Sequence, residues 1–185
     1  MQRFLPVLIA LVLLLLSTVG CNLNQEVDFQ KGLDTFEKKD YETAEADFQK
    51  GLDAYNREDY ETALREFKPL AEQGLARAQG VLGAMYYDGK GVSQNDKTAV
   101  KWYRLSAEQG YAPAQFNLGL MYARGQGISQ NDVYAHMWLN ISASRGYKRA
   151  AEVRGLAAKV MTPAQLEKAQ ELAVECEKKK YKGCD

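Results

Sequence analysis

The sequence predicts an all-α solenoid of antiparallel helix pairs, and three observations predict it. A 36-residue stretch recurs without a gap, each copy reads as helix, loop and helix, and the composition favours helix almost everywhere. Residues 74–109 (GLARAQGVLGAMYYDGKGVSQNDKTAVKWYRLSAEQ) and 110–145 (GYAPAQFNLGLMYARGQGISQNDVYAHMWLNISASR) are identical at 18 of 36 positions. These include Gln79/Gln115, Leu82/Leu118, Gly83/Gly119, Met85/Met121, Tyr86/Tyr122, Ala99/Ala135 and Trp102/Trp138. A period of this length marks stacked supersecondary units that bury their apolar faces against one another. Four prolines in 185 residues, with Ala, Leu, Glu, Gln and Lys frequent, leave little room for strand.

The chain divides into five segments. Residues 1–20 carry Arg3, a run of thirteen apolar residues (FLPVLIALVLLLL) and the small or polar STVG before Cys21. That run is too short to span a bilayer comfortably, and the charged start and small-residue exit make an export signal. TVGC resembles the lipobox of bacterial lipoproteins, with Thr18 and Val19 replacing the usual residues. The resemblance implies acylation of Cys21 and a membrane anchor in a bacterial cell envelope, facing the periplasm. Asn22 after the cysteine implies, by the same resemblance, passage to the outer membrane. Ordinary cleavage after Gly20 is the alternative; it leaves Cys21 free or disulfide-bonded and the protein soluble in the periplasm or secreted.

Residues 21–73 hold a second, shorter periodicity. DFQKGLDTFEKKDYETAEA (28–46) recurs as DFQKGLDAYNREDYETALR (47–65), identical at 12 of 19 positions. Nineteen residues suit one helix and one turn, which predicts helices near 27–39, 41–57 and 60–73, the last kinked at Pro69. In the first 36-residue copy, Gly89 ends the first helix because glycine takes left-handed backbone angles cheaply. Gly91 keeps the loop tight, Asn95 or Asp96 caps the second helix, and Gly110 ends it. Gly125, Gly127, Asn131, Asp132 and Gly146 repeat these signals.

The pattern AxAQxxLGxMYxxGxGxSQNDxxAxxW resembles the Sel1-like repeat, a relative of the tetratricopeptide repeat. It implies a right-handed α/α superhelix and a scaffold that binds protein or peptide. The units are then 74–109 and 110–145, preceded by degenerate tetratricopeptide-like helices in 21–73 and followed by capping helices in 146–185. In the last segment GYKRAAEVRGLAAKV begins like a third unit but has Arg154, Gly155 and Leu156 in place of the LGxMY core. TPAQLEKAQELAVECEKKK then offers Thr162 as N-cap, Pro163 as first helical residue and Gln165 as capping-box partner. Cys176 and Cys184 have the Cys-x7-Cys spacing of helix-bridging disulfides in the cysteine-rich branch of the resembling family. Acylation of Cys21 leaves these two cysteines to pair in an oxidising compartment.

The two copies also predict a surface. On the first helix the identical positions take about half the circumference, and the differing ones share an arc of about 120°. The identical stripe on the second helix is narrower, which places the first helices on the concave side. The differing arc gives the candidate partner-binding residues: Arg77, Val81, Ala84, Tyr87 and Asp88 in one copy, Phe116, Asn117, Leu120 and Arg124 in the other. Phe116 and Leu120 are apolar on an arc that the repeat does not use for packing, as at many partner sites.

Composition and motifs argue against other chemistry. Lys+Arg and Asp+Glu both number 24, so nucleic acid is not steered to the chain, and Lys178, Lys179, Lys180 and Lys182 read as a solvated helix end. His136 aligns with Val100 and reads as a surface or rim residue. The sequence lacks HExxH and CxxC, so no metal is expected, nor any cofactor or small-molecule substrate. Some cysteine-rich relatives carry a penicillin-binding or β-lactamase label, but the SxxK tetrapeptide of serine β-lactamases is missing. A glycan-binding envelope lipoprotein is the other alternative, with Tyr87 beside Asp88 as its nearest approach to a sugar site.

Overall fold

The glycines and asparagines of the repeat start and stop its helices as their chemistry dictates. A computed structural model describes residues 42–185, and every regular element there is helical. The elements are α1 (42–56), α2 (Tyr60–Glu72), α3 (Ala76–Asp88), α4 (Asp96–Ala107), α5 (Ala112–Arg124), α6 (Asp132–Ser144), α7 (Lys148–Ala158) and α8 (Pro163–Lys178). Residues 46–185 form one compact unit. The export segment, Cys21 and the helix expected at 27–39 lie outside the described residues.

Gly89 and Gly125 close α3 and α5 at φ 68° and 65°, the left-handed cap that spares the last carbonyls. Asn95 and Asn131 accept the Thr98 and Tyr134 amides at 2.9 and 3.0 Å, opening α4 and α6. The second glycine of each loop does more than tighten it. A Cβ at Gly91 would lie 2.5 Å from the Tyr60 carbonyl oxygen, and one at Gly127 would lie 2.4 Å from the Asp96 backbone. Each loop is thus pressed onto the start of the second helix of the preceding pair.

Side-chain bonds to backbone hold neighbouring helices in register, and they recur in both copies. Gln79 Nε2 donates to the Ala71 carbonyl at 3.0 Å and Gln115 Nε2 to the Ala107 carbonyl at 3.1 Å. The Ser106 and Ser142 hydroxyls donate to the Ala76 and Ala112 carbonyls at 2.6 and 2.7 Å. Both glutamines and both serines are buried, so each bond replaces water that the helix end has lost. At the N-terminal side, Phe48 meets Phe67 at 5.3 Å, and Gly51 leaves room for the Phe67 ring. Pro69 is exposed within α2 and does not end it.

The last two helices, α7 and α8, do not form a hairpin with each other. Thr162, Pro163 and Gln165 start α8 with the capping box their order predicts. Yet α7 and α8 both lie against α6 and scarcely touch each other. As a result α7 buries just one side chain, Ala150, while Leu156 and Val160 are 61% and 79% exposed. Ala169, Ala173 and Cys176, on one stripe of α8, are buried, the last two with Trp138 and Ile141. Cys176 and Cys184 are joined by a disulfide.

Candidate functional site

Side chains of the first helices α3 and α5 meet around a small hollow. Its floor is Tyr103, from the second helix α4, whose ring fits where Gly83 carries no side chain. Tyr87, Asn117, Leu120, Met121 and Arg124 complete the lining. The volume of about 40 Å³ suits one inserted side chain, far below the several hundred Å³ of ordinary small-molecule sites.

The rim is polar and tied together. Arg124 Nη1 donates to the Tyr87 hydroxyl at 3.0 Å, and that hydroxyl donates to Gln126 Oε1 at 3.2 Å. Arg124 itself is exposed, so its charge stays available at the rim. Burial, with Asp88 nearby, pushes the Tyr103 phenol well above its ordinary range, so it remains a neutral ring at the floor. An apolar floor ringed by a guanidinium, an amide and a phenol suits a peptide side chain whose flanking backbone needs polar partners. It supplies no nucleophile paired with a base, and no cluster of three or more His, Cys, Asp or Glu residues that could hold a metal occurs among the described residues.

The Sel1 repeat model matches residues 76–111 and 112–147. The chain thus carries two Sel1 repeats. Solved structures that resemble this chain include two repeat proteins. A protective antigen present in uropathogenic Escherichia coli strains, displaying an SLR fold, is 29% identical with a TM-score of 0.70 over 75% of this chain. A Sel1 repeat protein from Oxalobacter formigenes is 38% identical with a TM-score of 0.57 over 59% of this chain. The chain spans 31% of the first protein's length and 45% of the second's. No curated protein matches it. The Sel1 fold is that of protein-interaction scaffolds.

Of the nine residues the repeat comparison singled out, the Sel1-like fold brings four together: Tyr87, Asn117, Leu120 and Arg124 line the hollow. Val81 and Ala84 are half-buried along α3, outside that lining. The Arg77 guanidinium sits 4.5 Å over the Phe48 ring, and Asp88 pairs with Lys90 at 3.6 Å. Phe116 corrects the expectation of an open apolar arc. It is 4% exposed, 5.2 Å from the Tyr147 ring and packed with Leu139 and Ala150. The physical reason is compensation: at the matching place in the first copy Gly80 makes room for Tyr111, and Tyr111 and Tyr147 are themselves 36 residues apart.

His136 is a second correction, for it is 4% exposed and not at the rim. Burial and the Arg154 charge lower its pKa, so it is held as neutral imidazole. The narrow stripe expected on second helices also fails for α6, which buries seven residues because α7 and α8 both cover it. Reasoning from identity missed Tyr103, since its counterpart is Leu139; a shared large apolar character was the available signal. It also missed a cluster in which Lys90 donates to the Tyr55 hydroxyl at 3.0 Å and lies over the Tyr55 and Tyr60 rings.

Proposed function

We propose that this chain is a non-catalytic scaffold that holds a protein or peptide on the face formed by α3 and α5, one side chain entering the hollow beside Leu120. The observation that carries this reading is convergence. Tyr87 from one repeat and Asn117, Leu120 and Arg124 from the next meet around one apolar floor with a polar rim. Apolar anchors ringed by polar groups are how a small interface concentrates its affinity.

The apolar run before Cys21 and the TVGC sequence support an envelope location with Cys21 as lipid anchor, so the partner is another envelope protein or peptide. A photoreactive residue at Leu120, and one at exposed Lys101 on α4, provide the test in cells. A discrete crosslinked product is expected from Leu120 alone, and Arg124→Ala should weaken it. Identical products from both positions, or none from Leu120, defeat the reading. Alkyne fatty acid should label the wild type and not Cys21→Ala; no label on the wild type removes the anchor.

A further inference from the structure

Away from the hollow, the segment after α8 turns back on the repeats and inserts a carboxylate. The Asp185 side chain is 1% exposed and accepts from Arg104 Nε at 3.3 Å and Arg104 Nη2 at 2.8 Å. The Tyr122 hydroxyl donates to the same carboxylate. A guanidinium fork and a phenol are donors well matched to a carboxylate. Arg104 Nη2 also donates to the Tyr122 hydroxyl at 3.0 Å, which links the two donors independently of Asp185. Burial and the adjacent carboxylate push the Tyr122 hydroxyl up, so it stays protonated as a donor.

Two features show that this contact is added to the repeat and not part of it. Tyr122 recurs as Tyr86, but Arg104 is replaced by Asn140 in the other copy, so the repeat does not need a cation there. The segment that brings Asp185 in is also poorly made for staying put. Lys180 and Tyr181 hold left-handed φ values of 52° and 67°, which side-chain-bearing residues disfavour. Its further anchors include an Arg145 hydrogen bond to the Tyr181 hydroxyl at 3.0 Å, the hydrogen bond from the Tyr181 amide to the Cys176 carbonyl, packing of Tyr181 and Cys184 on the core, and the disulfide one residue before Asp185.

We propose that Arg104 and Tyr122 form a carboxylate-binding subsite for an acidic peptide, which the chain's own Asp185 occupies while the Cys176–Cys184 disulfide is closed. Opening it takes an external dithiol. One thiolate attacks a sulfur of the disulfide, the second displaces it, and the reagent leaves as a cyclic disulfide while Cys176 and Cys184 gain the two electrons and two protons. Residues 179–185 then lose their cross-link to α8, and an acidic side chain supplied from outside competes for the same donors.

The probe is a fluorescent peptide Tyr-Lys-Gly-Ser-Asp, the chain's own sequence with Ser in place of Cys, and its Asp→Asn version. Anisotropy with the full chain should show binding at least about tenfold tighter after reduction, the factor that one charge-assisted hydrogen bond contributes. The Asn peptide and Arg104→Gln should each lose that gain, and the Tyr181 amide, which donates to the Cys176 carbonyl at 2.9 Å, should exchange faster. Leu120→Arg should leave all of this unchanged, which separates the subsite from the hollow. Equal binding to both redox forms, equal binding of the Asn peptide, or unaltered Tyr181 exchange overturns the proposal. Should reduction abolish the helical circular dichroism, Asp185→Asn with the disulfide intact takes its place: a gain in peptide binding supports the subsite, and no gain overturns it.

Discussion

The two repeats solve one packing problem with opposite residues. At the place where a tyrosine from the following turn meets the first helix, the first copy has Gly80 under Tyr111 and the second has Phe116 against Tyr147. One copy fills the gap by bringing the ring in close, the other by meeting it with a second ring. A difference between copies therefore does not mean that a position is free; it can mean that two neighbours changed together. By contrast the four differing residues around the hollow surround one opening, with Tyr87 tied to Arg124 and Gln126 at its rim, and they remain the better candidates for recognition.

Truncating the second solution should hurt most. Phe116→Ala is expected to cost about 3–4 kcal/mol in urea unfolding, because Tyr147 and Leu139 lose a buried ring they cannot replace. If the loss is below about 1 kcal/mol, the aromatic contact is not a packing joint and the arc is freer than stated. The loop glycines sharpen the contrast between joints and ends. Gly127→Ala should cost about 3 kcal/mol, combining a positive φ with the Asp96 backbone 2.4 Å from the new Cβ. Gly146→Ala, at φ +86° with nothing within 4 Å, should cost about 1 kcal/mol. Equal costs would show that loop docking adds nothing to backbone preference.

A smaller effect belongs to acid. His136 has a folded-state pKa below its ordinary 6.5, so the unfolded chain takes up the proton first. Stability should be full above that value and decline as pH falls through it towards the depressed one. His136→Gln should flatten this slope, and a wild-type slope no steeper than the variant's would count against a buried neutral imidazole. Smallest of all, Leu156→Ala on the uncovered face of α7 should stay within about 0.5 kcal/mol of wild type by thermal or urea unfolding.

Most of the fold was legible because local chemistry and repeat agreed. Gly89 and Gly125 close helices, Asn95 and Asn131 open them, and Thr162 with Gln165 forms its box wherever α8 ends up, since each depends on a few adjacent residues. What depended on distant partners was not legible. Nothing in TPAQLEKAQELAVECEKKK tells α8 to leave α7 and lie on α6. The burial of Phe116 required knowing that Tyr147 would come back to it. For His136 a usable signal existed, because its counterpart Val100 is apolar and equally buried. Within the hollow, Tyr87, Asn117, Leu120 and Arg124 could be grouped from the helix period alone, whereas the floor residue Tyr103 comes from another helix.

The glutamine and serine bonds between helices end on main-chain oxygens of Ala71, Ala107, Ala76 and Ala112. Such acceptors are offered by any helix of matching length, whatever side chains it shows to the outside. A cassette spliced in at the same phase would find its fastenings already in place, so the array can be lengthened or re-ordered without redesigning its seams.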